Sequence, residues 1–205
     1  MPASLLQTIS SYITPDIINK ASSFLGETPA SASMAMAGIV PTLLSSMATL
    51  ASGSSGLSQL ESLLSKVRAD GGTLDNLGSL FSGGTATTSA LGVGRNLLRT
   101  ILGGNTVSLV SAVSRFSGIS SSSAGSLLSL AAPLVLGTIA KLKYAQTLTT
   151  GEVARLLVGQ KGDIAGAVPS ALSSFFPATS VAAIPTPAVA QEDQKRSSWS
   201  WLALI

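Results

Sequence analysis

Cysteine and histidine are both missing from the 205 residues. Zinc sites of the usual kind draw on one or the other, so they are excluded. Serine–histidine and cysteine–histidine nucleophilic catalysis is excluded for the same reason. Without cysteine there are no disulfides, which fits a reducing compartment but does not require one. Charge is scarce as well. Asp, Glu, Lys and Arg make up 10% of the chain, against about 25% in typical soluble domains. Aromatic residues make up 4%, the net charge is only +3, and Lys and Arg are scattered. Neither a basic stripe nor a stacking platform is present, so no nucleic-acid partner is expected. Strand-type alternation is absent throughout, which makes the expected class all-α.

Ser, Thr, Ala and Gly stand where charge would be. A small, neutral, weakly repulsive surface favours self-association or contact with a membrane. The same surface also follows from the source's amino-acid usage alone. The N-terminal Met1-Pro-Ala-Ser-Leu-Leu-Gln lacks a basic stretch followed by a long apolar one and does not read as a signal peptide. No uninterrupted apolar run reaches the roughly 20 residues of a membrane span. The run at 127–140 is broken by Pro133 and reads as a buried core helix.

The strongest positive feature is an internal repeat. Residues near 5–50 match residues near 97–142 without a gap at an offset of 92. Phe24 and Gly26 fall on Phe116 and Gly118, and Pro41 falls on Pro133. Leu5-Leu6-x-Thr8-Ile9 falls on Leu97-Leu98-x-Thr100-Ile101. One supersecondary unit used twice predicts two halves that pack as a pseudo-symmetric pair.

Within the first copy, residues 3–25 read as helix with a restart at Thr14-Pro15, where Thr14 caps and Pro15 takes the first helical position. Gly26 is the expected stop, and Thr28-Pro29 opens an apolar helix over 29–51 that Pro41 should kink or split. The second copy has helices at 92–102 and 106–117, a stop at Gly118, and a helix over about 121–144 that Ser120–Ser123 cap and Pro133 kinks. The expected architecture is therefore two pseudo-symmetric helical repeats with proline-kinked core helices, occupying about 3–50 and 95–142 of a domain at 1–176.

Between the copies, Gly-rich joints at 51–56, 71–72 and 83–84 flank two short amphipathic helices. One carries Leu57, Leu60, Leu63, Leu64 and Val67, and the other spans 73–82. Thr149 and Glu152 have capping-box spacing for a helix reaching about 158, and a last helix covers 161–175.

Residues 177–198, with Pro177, Pro185 and Pro187 and then Gln191-Glu-Asp-Gln-Lys-Arg196, read as a flexible linker. Trp199 and Trp201 ahead of Leu-Ala-Leu-Ile read as the start of a transmembrane helix, expected to belong to a longer parent chain. The bland reading is a short apolar tail. If a span follows, Lys195 and Arg196 keep the domain cytoplasmic and tethered to the bacterial inner membrane.

Three segments together resemble the bacterial YidB-like family. They are Phe116-Ser-Gly118-Ile-Ser, then Leu127-Leu128-Ser-Leu-Ala-Ala-Pro133-Leu-Val-Leu-Gly137, then Leu148-Thr-x-x-Glu152-x-x-x-Leu156-Leu157-x-x-Gln160-Lys161. The resemblance covers nearly all of residues 1–176. It implies an all-α domain of unknown function, with no catalytic residues to carry over. In some members a similar domain precedes a linker, a transmembrane helix and an OmpA-like peptidoglycan-binding domain. That arrangement would add a cell-wall link.

The chemistry on offer is thin. Asp16, Glu27, Glu61, Asp70, Asp75, Glu152, Asp163, Glu192 and Asp193 form no tight pair outside the linker. Glu152 reads as a cap rather than an acid or base, and Asp16 and Glu27 as anions near helix starts. Gly92-Val-Gly94-Arg does not complete a dinucleotide fingerprint and reads as a loop before a helix. Arg95, Arg99, Arg115, Lys141 and Lys143 are a candidate basic face toward anionic lipid, against the plainer reading of a solvated face. Gln160 and Lys161 are candidate partner contacts, or only a helix end. Phe24, Gly26, Pro41, Phe116, Gly118, Pro133, Thr149 and Glu152 are structural. No enzyme activity, cofactor or metal site is expected. The favoured role is a scaffold or self-assembling module acting as a homo-oligomer. The alternative is a small-molecule or lipid binder with an apolar pocket between the kinked helices.

Overall fold

A computed structural model describes residues 4–69, 81 and 83–173. The linker read at 177–198, the Trp-flanked end at 199–205 and most of the helix expected at 73–82 lie outside the described residues. The described residues are helical, with no strand among them.

The first copy folds as α1 (Leu5–Tyr12), α2 (Pro15–Leu25) and α3 (Pro29–Ala51). Thr14 and Thr28 cap α2 and α3 by accepting the N–H groups of Ile17 at 3.4 Å and Ser31 at 3.2 Å. Pro15 and Pro29 take the first helical position, where no donor is needed. Helix α4 (Gly56–Ala69) follows, and buries Leu60, Leu63, Leu64 and Val67 on one face.

The second copy is α5 (Thr85–Leu102), a 3₁₀ turn at Gly103–Asn105, α6 (Thr106–Ser117) and α7 (Ser121–Ala145). Ser120 caps α7 through the Ser123 N–H at 3.1 Å. Gly26 and Gly118 end α2 and α6 in the left-handed conformation, with φ of 68° and 74°. Most L-residues resist that conformation.

The chain then runs through α8 (Thr150–Gly159), α9 (Lys161–Ala167) and α10 (Ser170–Ser173). Two boundaries differ from expectation. Helix α5 starts at Thr85 rather than near 92, so Gly92 and Gly94 lie inside a helix and not in a loop before one. The helix expected over 161–175 is divided, because Val168 is forced extended (ψ 124°) by the following Pro169.

Helices α3 and α7 form the centre, touching each other and most of the remaining elements. Pro41 and Pro133 each lie inside one continuous helix, so neither splits it. Both helices are long and apolar enough to cross a membrane, with mean hydropathy 1.6. Each helix is longer than the apolar run around its proline, because Pro41 and Pro133 do not end the helices. Their windows are 72% and 89% buried, so these apolar faces are spent on neighbouring helices.

One hydrophobic core draws on both copies, from Leu5 and Ile9 through Leu43 and Leu44 to Leu127, Leu128 and Ile139. Serine and threonine enter it without penalty because their hydroxyls donate back to their own helix. Thr42 donates to the Gly38 carbonyl at 2.7 Å, Ser129 to Gly125 at 2.7 Å and Thr138 to Leu134 at 2.9 Å. No buried side-chain polar atom among the described residues lacks a partner.

Candidate functional site

The carboxylates divide by what holds them. Asp16 pairs with Lys20 one turn along α2 at 2.9 Å, with both side chains exposed. Glu61 of α4 meets Lys143 of α7 at 3.3 Å, and Lys143 also donates to Thr150 Oγ1 at 2.9 Å. Glu152 completes the capping box: Thr149 N–H donates to its Oε2 at 2.7 Å, and its own N–H donates to Thr149 Oγ1 at 3.3 Å. The Thr149 backbone and hydroxyl, with Arg155 nearby, hold the Glu152 carboxyl below its usual pKa.

Glu27 makes a contact that its position before α3 did not reveal. Its Oε1 accepts the Ser120 N–H at 2.9 Å, across to the start of α7. Ser123 Oγ reaches the Leu25 carbonyl at 3.5 Å beside it. The Ser120 backbone bond, then Ser123, lowers the Glu27 pKa. A lowered carboxylate stays ionised at neutral pH and has no proton to give. Asp163 lies exposed in the first turn of α9. No group of three His, Cys, Asp or Glu able to hold a metal occurs among the described residues.

The repeat anchors hold differently in the two copies. Phe116 is half-buried and lies over Gly38, where an added Cβ would come within 3.1 Å of its ring. Phe24, its counterpart, is 37% exposed. Gln160, read as a partner contact, is engaged within the chain. Its Oε1 accepts the Leu5 N–H at 2.8 Å, which supplies one of the acceptors that the start of α1 lacks. Lys161 opens α9 and is half-buried.

Gly94 is buried under α7. A Cβ there would overlap the Ser129 carbonyl oxygen. That carbonyl is the one Pro133 leaves without its helical donor. The backbone of Gly94 packs directly against it. Ala37, the residue Pro41 deprives in the same way, is exposed.

The five basic residues do not form one face. Lys143 is committed to Glu61, and Lys141 lies over the Tyr12 ring at 5.8 Å, toward the end of α7. Arg95 and Arg99 line a groove at the other end, against Ser121, Ser122 and Ser126. At about 1.5 Å per helical residue, Ser126 and Lys141 are roughly 22 Å apart along α7. The groove is about 580 Å³. Two grooves lined by no charged residue measure about 350 and 290 Å³. The first lies between α3 and the α5–α6 corner, and the second lies beside Pro41.

A family model described as a bacterial protein of unknown function (DUF937) matches residues 7–142. No curated protein and no solved structure matches the chain. The matched span runs from within α1 to near the end of α7.

Proposed function

The chain belongs to this bacterial family of unknown function, and from the geometry of its own residues we propose that it is a non-catalytic, self-associating interaction module. One observation carries the reading: most of the carboxylates that can be placed are used for structure. Glu27 and Glu61 each join two helices and Glu152 caps one, Asp16 pairs with Lys20 within α2, and Asp163 alone of the five described carboxylates stands exposed without such a role. With neither histidine nor cysteine in the chain, little remains for acid–base or nucleophilic chemistry.

What is left over is the outer surface. It is poor in charge and carries large apolar side chains, with Leu57 50%, Met34 48% and Val158 41% exposed. Such side chains on a weakly repulsive surface favour contact with another copy. The wider placement rests on the C-terminal sequence and on the YidB-like resemblance. In it the module lies on the cytoplasmic side of the bacterial inner membrane, tethered through its C-terminal segment, with a cell-wall link if an OmpA-like domain follows.

The test is the solution mass of the full chain by light scattering, over a concentration series at low and high salt. A defined oligomer that persists at high salt is expected, because the contact is apolar. A monomer at every concentration would overturn self-association.

A further inference from the structure

The groove between α5, the start of α6 and the first half of α7 shares apolar positions with a groove in the first copy but differs from it in charge. Leu98 and Val110 form its apolar floor, and Leu6 and Ile18, at the same places in the repeat, line the uncharged groove beside Pro41. Charge is what the second copy adds. Arg95 and Arg99 stand where the first copy has Ala3 and Gln7, and Gly103-Gly104 replaces Ser11-Tyr12. Both arginines are exposed. No acidic residue lines the groove, and neither arginine has an acidic partner among the described residues. Val107 stands beside them at 76% exposure. Two guanidinium groups a helical turn apart, with no acidic partner among the described residues, match a phosphate, which Arg binds through paired N–H donors. A large aliphatic side chain projecting next to them has no use in water, but inserts readily at the boundary between headgroups and acyl chains.

We infer that this groove docks the domain on an anionic phospholipid surface, with a headgroup phosphate between Arg95 and Arg99 and Val107 entering the bilayer. A lipid surface satisfies the charge and the apolar projection together, whereas a free anion would use only the arginines. The inference stands apart from self-association, since a monomer and an oligomer can both present the groove.

The experiment is co-sedimentation of the full chain with vesicles of pure phosphatidylcholine and of phosphatidylcholine with 30% phosphatidylglycerol (a composition chosen for roughly physiological anionic charge). Each cation near such a surface strengthens binding roughly fivefold, so the pair Arg95→Gln and Arg99→Gln lowers partitioning about thirtyfold. Light scattering and circular dichroism on the same variants check that mass and fold are unchanged, which keeps this test separate from that of the assembly. The cysteine-free sequence allows a second readout. Val107→Cys, labelled with an environment-sensitive dye, shifts to the blue on anionic vesicles and not on neutral ones.

Equal binding to neutral vesicles, or binding unmoved by the arginine substitutions, would overturn the proposal and assign the affinity to the apolar C-terminal sequence. Protection by millimolar inorganic phosphate without vesicle binding would overturn it in favour of a soluble anion.

Discussion

Gly94 is the residue on which the approach of α5 to α7 depends. Its missing side chain leaves room for the Ser129 carbonyl, and that carbonyl is backbone, so it cannot swing away. Gly94→Ala should therefore cost about 3 kcal/mol or more, at the upper end of overpacking effects. Gly92, two residues earlier in the same helix, is exposed and has nothing within 4 Å of a built Cβ. Gly92→Ala should stabilise by roughly 0.5–1 kcal/mol, because alanine is the better helix former. Urea unfolding of the two variants checks this, and a Gly94→Ala midpoint at the wild-type value would remove the close contact from the account. The sequence shows only two glycines two apart. Which one faces a neighbouring helix is decided by how α5 packs on α7.

Among the elements, the turns are more informative than the helices they join. Gly26-Glu27-Thr28 and Gly118-Ile119-Ser120 occupy matching places in the repeat, and the Glu27 carboxylate bonds the Ser120 N–H across them. The bond satisfies a donor at the start of α7 and adds negative charge where that helix favours it. The folded pKa of Glu27 lies below its ordinary value of 4.5, through the Ser120 bond first and Ser123 second. A depressed folded pKa contributes stability above the unfolded pKa, which is lost as pH falls through the folded value. Glu27→Gln should therefore lower the urea midpoint at pH 7 and flatten its decline as pH falls below about 4.5. Glu152, shifted in the same direction, remains in both proteins as a common background. A variant whose midpoint tracks wild type from pH 3 to 7 would show that the Glu27–Ser120 bond contributes nothing.

For the whole molecule the question is whether the copies fold separately. Helix α3 buries Ile39, Leu43, Leu44 and Met47 completely, in a core shared with Leu127, Leu128 and Leu136 of α7. Neither central helix has its full set of neighbours within its own half. A fragment of residues 1–69 should have low helicity by circular dichroism or precipitate, since short helices are marginal without packing and α3 would expose its apolar face. Mixed with the 70–205 fragment, it should regain the helical signal of the intact chain. Cooperative thermal unfolding of the 1–69 fragment alone would refute the shared core.

Local signals settled what depends on neighbours in the chain. The caps at Thr14, Thr28, Ser120 and Thr149, the left-handed stops at Gly26 and Gly118 and the all-α class were legible because each is decided within a turn of backbone. The fates of Glu27, Gln160 and Gly94 were not legible, because their partners lie 93, 155 and 35 residues away. Nor could spacing divide the five basic residues, which lie on three helices and face different ways once α5 and α6 pack on α7. Identity and spacing determined the helices and excluded histidine- and cysteine-based chemistry. Only the tertiary structure put Arg95 and Arg99 in a groove with no acidic partner among the described residues while giving Lys143 to Glu61, because charge pairing depends on distance in space rather than order along the chain.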